Sequence, residues 1–203
     1  MITIIDYNAG NIRSVLRACA EVGTQAKTTN DPKIVAKAEK IIFPGVGAAP
    51  SAMEYLTKTG LDVALKRAFV RGIPVLGICL GAQIILKSSE EGPQKCLGLI
   101  AGKTVRFNLK DKSLKIPHMG WNEVKVVKPH PLLDSIKPGD EFYFVHSYYP
   151  QPALKENIYA AAEYGGDFCA ALGYKNHFAV QFHPEKSGRL GLALLERFSR
   201  WNP

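Results

Sequence analysis

Cys79 stands in Gly77-Ile78-Cys79-Leu80-Gly81-Ala82-Gln83, at the end of the apolar run Val75-Leu76. Glycines two residues to either side match a nucleophile elbow, a sharp strand-to-helix turn that needs small neighbours so that the nucleophile stands clear of the backbone. A helix starting near Leu80 aims unpaired N–H groups and its positive dipole end at the sulfur, which favours thiolate over thiol. A cysteine in an apolar strand can equally be an inert core residue, and the local pattern leaves both readings open. A second group bears on the choice. Phe178-Ala179-Val180-Gln181-Phe182-His183-Pro184-Glu185 reads as a strand ending in histidine. Pro184 cannot continue a ladder, so it ends the strand and holds its polar neighbours in defined directions. Cys79, His183 and Glu185 then supply a thiol nucleophile, an imidazole base and an orienting carboxylate, a cysteine form of the hydrolytic triad.

The elements that must position these groups alternate. Residues 2–5 read as an apolar strand, residues 6–11 as a loop, and Ile12, Val15, Leu16, Cys19 and Ala20 recur at helical spacing until Gly23, which makes Cys19 core. Residues 24–29 suggest an edge strand, Asp31-Pro32 a helix start, and residues 40–43 a buried strand running into Pro44-Gly45-Val46-Gly47. A helix over about 60–71 precedes the Cys79 strand, and an acidic turn-rich loop at 88–93 follows the helix that carries Gln83. Strands alternating with helices predict a parallel α/β sheet, in which ligands bind at the carboxyl ends of strands. Cys79 and the loop at 44–47 both lie there. That loop reads either as a plain βα turn or as half of an oxyanion hole, the other half being the N–H of Leu80. From residue 97 the pattern changes to short alternating runs at 103–107, 122–127, 141–145, 158–164 and 168–172, which predict antiparallel strands added to the parallel core. Ser187 begins a terminal helix with Leu190, Leu194, Leu195 and Phe198 on its apolar side.

A chain of 203 residues is read as a single domain, 1–203, α/β with a mostly parallel central sheet flanked by helices. No apolar run approaches the roughly 20 residues that span a bilayer, and residues 1–6 lack the features of a signal peptide, so a cytoplasmic enzyme is expected. Cys19, Cys79, Cys96 and Cys169 are scattered without C-x-x-C or Cys/His clustering, which indicates neither a disulfide framework nor a metal site. The net charge of +8 would suit nucleic acid, but the basic residues form no run and do not interleave with aromatics. A lysine-rich solvated surface, with one face towards an acidic partner, fits better.

Taken together, residues 77–83, 44–47 and 181–185 resemble the class I, triad-type glutamine amidotransferases along nearly the whole chain. Within that class the sequence is similar to the glutaminase subunits of imidazole glycerol phosphate synthase. Asp6-Tyr7-Asn8-Ala9-Gly10-Asn11, the valine form of the 44–47 loop, Pro117-His118-Met119-Gly120-Trp121-Asn122 and Phe144-Val145-His146-Ser147-Tyr148 carry the narrower match. The resemblance implies that Cys79 attacks the glutamine side-chain amide, that His183 passes the proton to ammonia, and that Glu185 orients His183. It implies that Gln83, Glu91 and the backbone around His146, Ser147 and Tyr148 hold glutamine, and that Gly45, Val46, Gly47 and Leu80 form the oxyanion loop. It places Asn11, His118 and Trp121 at an interface with a cyclase subunit, a (β/α)8 barrel in a heterodimer, and implies no cofactor; His118 reads equally as a satisfied core or surface histidine, and Trp121 also fits an ordinary buried tryptophan. Ala48-Ala49-Pro50 departs from the aromatic residue often found after that loop.

Ammonia released into water near pH 7 protonates and loses its nucleophilicity, so its use demands a water-poor path and, for a chain of this size, another subunit. Three rivals remain. A glutaminase of another synthase, such as anthranilate synthase, would co-purify with a chorismate-using enzyme. A cysteine-elbow peptidase or stress protein often has histidine directly after the cysteine, where this chain has Leu80. A non-enzymatic binding module would retain its function in Cys79→Ala.

Overall fold

The computed structural model describes residues 1–7 and 10–203; Asn8 and Ala9, in the N-terminal loop singled out above, lie outside the described residues. Strands β1 (Ile2–Ile5), β2 (Ala26–Thr29), β3 (Lys40–Phe43) and β4 (Val75–Ile78) alternate with helices α1 (Ile12–Glu21), α2 (Pro32–Val35), α3 (Ala49–Thr59) and α4 (Leu61–Val70). Helix α5 (Leu80–Ile84) follows β4 without a linker beyond Cys79. Next come the short strands β5 (Ser88–Ser89) and β6 (Gln94–Lys95), then β7 (Gly102–Arg106), β8 (His118–Glu123), β9 (Lys125–Val126), β10 (Glu141–His146) and β11 (Tyr148–Pro152). Strands β12 (Ile158–Glu163), β13 (Asp167–Tyr174) and β14 (His177–Val180), then helix α6 (Gly188–Arg200), complete the chain.

The main sheet runs β2-β1-β3-β4-β14-β13-β12-β9. Its first five strands are mutually parallel and the rest antiparallel, so β14, the last strand of the chain, joins the parallel half beside β4. Strands β4 and β3 are buried at almost every position, which matches their continuous apolar runs. Helix α1 packs on α6, while α2 and α3 pack on α4. These two groups flank the sheet.

Several expectations are corrected. The added strands do not all extend the main sheet: β10 pairs with β8 in a two-stranded sheet, and β11-β7-β5-β6 form a third. The run at 122–127 breaks at Val124, which is buried, and its two parts belong to different sheets. The turn expected at 88–93 is present at 90–93, but Ser88 and Ser89 before it form β5, which pairs with β6 as a hairpin, Ser88 opposite Lys95. The helix after Asp31 lasts four residues, and residues 148–152 form strand β11 despite its two prolines. The strand expected to end at His183 stops at Val180.

Helix α3 accounts for the departure at 48–50. Ala48 offers no side-chain cap, but Pro50 lies in the first turn, where no N–H is needed, and the Glu91 carboxylate accepts the N–H of Ala49 at 2.7 Å.

Candidate active site

Cys79 caps α5 with φ 52° and ψ −103°, a left-handed backbone that non-glycine residues adopt at a cost of about 1–3 kcal/mol. The strain is imposed from both sides: the Cys79 N–H donates to Val180 O at 2.8 Å, and its carbonyl accepts from Ala82 N at 2.9 Å. Gly81 lets the turn close, because a Cβ there would collide with the backbone carbonyl of Phe43. The elbow read from Gly77 and Gly81 is therefore present, with the sulfur at the carboxyl end of a central strand.

His183 arrives by a different route from the one its motif suggested. Three residues beyond β14, its N–H donates to Tyr143 O of β10 at 2.9 Å, and Ser187 Oγ donates to its carbonyl at 2.6 Å while accepting from Tyr143 N. His183 is thus held between the main sheet and the β8–β10 sheet. Its Nδ1 pairs with Glu185 Oε1 at 2.8 Å, both side chains fully buried, which leaves Nε2 for the sulfur. Burial alone would lower the His183 pKa; the charge of the neighbouring Cys79 and the Glu185 carboxylate overcome it and raise it to about 10. For Glu185 burial works upward, but the bonds from His183 and Asn11 win and hold the carboxyl below its usual range. The arrangement is a buried histidine–carboxylate pair beside the Cys79 sulfur.

A pocket of about 290 Å³ opens on Cys79 and is lined by all of Gln83, Glu91, His146, Ser147 and Tyr148, together with Val46, Gly47 and Leu80. Gln83 donates its amide N–H groups to Tyr148 O at 2.8 Å and Gln181 Oε1 at 3.1 Å. With its amide hydrogens committed to the protein, its carbonyl is the end left for a ligand. Glu91 caps α3 through one oxygen, so its charge sits between the pocket and the helix that follows the 44–47 loop. The His146 ring is bonded within the protein, to Tyr148 O and His118, and burial pushes its pKa down to about 3.

The Leu80 N–H, expected to be half of the oxyanion hole, donates to Gly45 O at 3.3 Å. Next to it the buried Tyr7 hydroxyl donates to Pro44 O at 2.8 Å, and a Cβ on Gly45 would collide with that hydroxyl. Only glycine fits between Tyr7 and Leu80.

Two of the three expected interface residues are buried. Asn11 is 4% exposed and donates from Nδ2 to Glu185 Oε1 at 2.8 Å, so its side chain bonds the buried carboxylate that pairs with His183. His118, also 4% exposed, donates from its ring to His146 and stacks on Tyr164. Trp121 is 54% exposed beside the exposed Met119, on β8. Sequence reasoning assigned no role to Tyr7 or to the Gln181 side chain; their places inside two quoted motifs were the available signal.

The family model for class-I glutamine amidotransferases matches residues 3–200. The chain is 48% identical over 206 residues to an imidazole glycerol phosphate synthase subunit HisH from Nitratidesulfovibrio vulgaris, covering 99% of this chain and 96% of that one. It is 47% identical over 199 residues to the HisH subunit of Dehalococcoides mccartyi, covering 98% and 96%. Among solved structures, PurLQS from Thermotoga maritima superposes with a TM-score of 0.72 at 19% identity over 97% of this chain and 96% of that one, a likeness of fold. With the family model and the relatives matching from end to end, the chain belongs to the class-I glutamine amidotransferases, in the family of the imidazole glycerol phosphate synthase HisH subunits.

Proposed function

We propose that this chain hydrolyses glutamine to glutamate and ammonia through Cys79, His183 and Glu185, and delivers the ammonia to a cyclase subunit that forms imidazole glycerol phosphate and an aminoimidazole carboxamide ribotide in histidine biosynthesis. The single observation that carries the chemistry is the Cys79 elbow opening into the pocket with the His183–Glu185 pair behind it. The Cys79 sulfur attacks the amide carbon, His183 gives its proton to the departing ammonia, and water activated by the same imidazole cleaves the thioester. Glu91 receives the substrate α-ammonium and Gln83 orients the amino acid through its carbonyl.

The bond from Leu80 N–H to Gly45 O supports a chain that is quiet by itself. An oxyanion needs that N–H, and here a carbonyl occupies it. Rotating the Gly45–Val46 peptide removes the carbonyl and turns the Val46 N–H towards the same point in one motion. The partner that favours the rotated state activates the enzyme by the difference in its affinity for the two states. We place the cyclase, a (β/α)8 barrel in a heterodimer, on the face carrying Trp121 and Met119, whose side chains are large, apolar and exposed. Among the described residues no helix is long and apolar enough to cross a membrane.

The test is a glutaminase assay with and without the cyclase and its nucleotide ligand, run beside Cys79→Ala. Turnover that rises greatly with the partner and vanishes in the variant is expected. Equal turnover with and without the partner refutes the resting-state reading, and co-purification with a chorismate-using enzyme assigns the chain to another synthase.

A further inference from the structure

We propose that Gln181 is a catalytic residue: its side-chain amide donates a hydrogen bond to the Cys79 sulfur and stabilises the negative charge there. The proposal rests on the glutaminase reading of Cys79 and deepens it. Gln181 lies one residue past β14, its backbone N–H is fixed to Ala170 O at 2.8 Å, and its side chain is fully buried. Nε2 is 3.5 Å from Cys79 Sγ, an ordinary separation for an N–H donor on sulfur.

The direction of the amide is dictated by its surroundings. The Tyr148 carbonyl is a backbone acceptor that cannot change role, so the Gln83 nitrogen must face it, 2.8 Å away. The same nitrogen reaches Gln181 Oε1 at 3.1 Å, which turns the Gln181 nitrogen towards the sulfur. Inverting Gln181 alone would set two NH2 groups against each other, and inverting Gln83 as well would set two carbonyls against each other. The Tyr148 carbonyl is itself held by His146 Nδ1 at 2.8 Å. His146 in turn accepts from His118 at 3.1 Å. The chain of bonds therefore ends with an N–H aimed at Sγ.

Such a donor complements His183. The imidazolium loses its proton when ammonia leaves, whereas an amide N–H does not titrate and stays a donor throughout the cycle. Its largest effect falls on thioester hydrolysis. There water adds its oxygen to the acyl carbon and its proton passes to His183. The carbon–sulfur bond then breaks, and the bonding pair returns to Sγ, where the Gln181 N–H meets it. The buried Tyr7 hydroxyl lies near Cys79 but is already committed to Pro44 O.

Two substitutions test this. Gln181→Met keeps the length without the donor; Gln181→Asn keeps an amide in the same polar slot but draws it back from the sulfur. With the cyclase present, kcat for glutamine should fall about tenfold or more in both, with KM nearly unchanged, as expected for loss of a hydrogen bond to a charged group. In the chain alone, iodoacetamide alkylation of Cys79 at pH 7 should slow about tenfold and its rate profile should move to higher pH. Wild-type alkylation rates and profiles in both variants overturn the proposal, as does a raised KM with unaltered alkylation, which would make Gln181 only a brace for Gln83. Circular dichroism identifies a variant that fails to fold, and the other then decides. One measurement needs no substitution: the side-chain ¹⁵N–¹H resonance of Gln181 should shift when Cys79 is alkylated, and a resonance that stays put overturns the assignment. Failure of the wild type to turn over glutamine with its partner would instead sink the glutaminase reading itself.

Discussion

Replacing Asn11 by leucine separates a triad role from an interface role. Asn11 Nδ2 donates to the Glu185 oxygen that also receives His183 Nδ1, and its side chain is buried, so leucine of similar size removes the donor without opening a cavity. A hydrogen bond to a charged group contributes about 1.5–3 kcal/mol, equivalent to roughly 10- to 150-fold in rate if all of it is felt in the transition state. The carboxylate persists from ground state to transition state, so only its hold on the imidazole orientation changes, and the lower end, about tenfold in kcat, is expected. A second signature concerns pH. The Asn11 bond is one of the causes that hold the Glu185 carboxyl below its usual range, so losing it lets that pKa rise and moves the acid limb of activity to higher pH. The assay is kcat and kcat/KM for glutamine against pH, with the cyclase saturating, alongside the dissociation constant of the two subunits. Unchanged kcat and acid limb with a weakened complex would refute the reasoning and return Asn11 to the interface.

Glu91→Gln keeps an acceptor for the Ala49 N–H but loses the charge that complements an α-ammonium, so KM should rise about tenfold with kcat nearly constant; Glu91→Ala should also lower stability by about 1 kcal/mol through the lost cap, read from urea melts. Cys79→Gly and Cys79→Ala should both be inactive, and the glycine variant should melt higher, because relief of the left-handed strain outweighs its extra chain entropy; a lower melting temperature would contradict the strain. His177 is 2% exposed, and neither ring nitrogen has a hydrogen-bond partner; burial lowers its pKa to about 3. Its neutral form is favoured in the fold, so its stabilisation is complete above the unfolded value near 6.5 and is lost as pH falls towards 3; at pH 5 the loss is about 2 kcal/mol. His177→Leu should be more stable than wild type at pH 7.5, and the gap should widen by about 2 kcal/mol at pH 5, whereas an equal gap at both pH values would show that His177 does not titrate.

Local pattern carried much of this molecule. Strands β1, β3 and β4 and the stripes of α1 and α6 were legible because each follows from a few consecutive side chains that have to be buried. The Cys79 turn and the His183–Glu185 pair were legible for a related reason: an elbow needs small residues beside Cys79, and a proline fixes the turn between His183 and Glu185. The short strands at 88–95, the split at Val124 and the choice among three sheets were not, because such runs are stabilised by whichever edge they meet.

Exposure escaped the sequence in the same way. Asn11 and His118 are polar residues in loop-like stretches, and nothing near them in the chain shows that Glu185 and His146, 174 and 28 residues away, take their donors. The states of the Leu80 N–H and of the Cys79 sulfur also belong to tertiary structure. The bond from Leu80 to Gly45 and the contact from Gln181 to Cys79 join residues 35 and 102 positions apart. Residue types and short spacings therefore determined which chemistry the chain can do. Whether its donors are free, taken or aimed at the sulfur was decided only when β3, β4 and β14 came to lie side by side, since a hydrogen bond depends on distance and direction in space and not on separation along the chain.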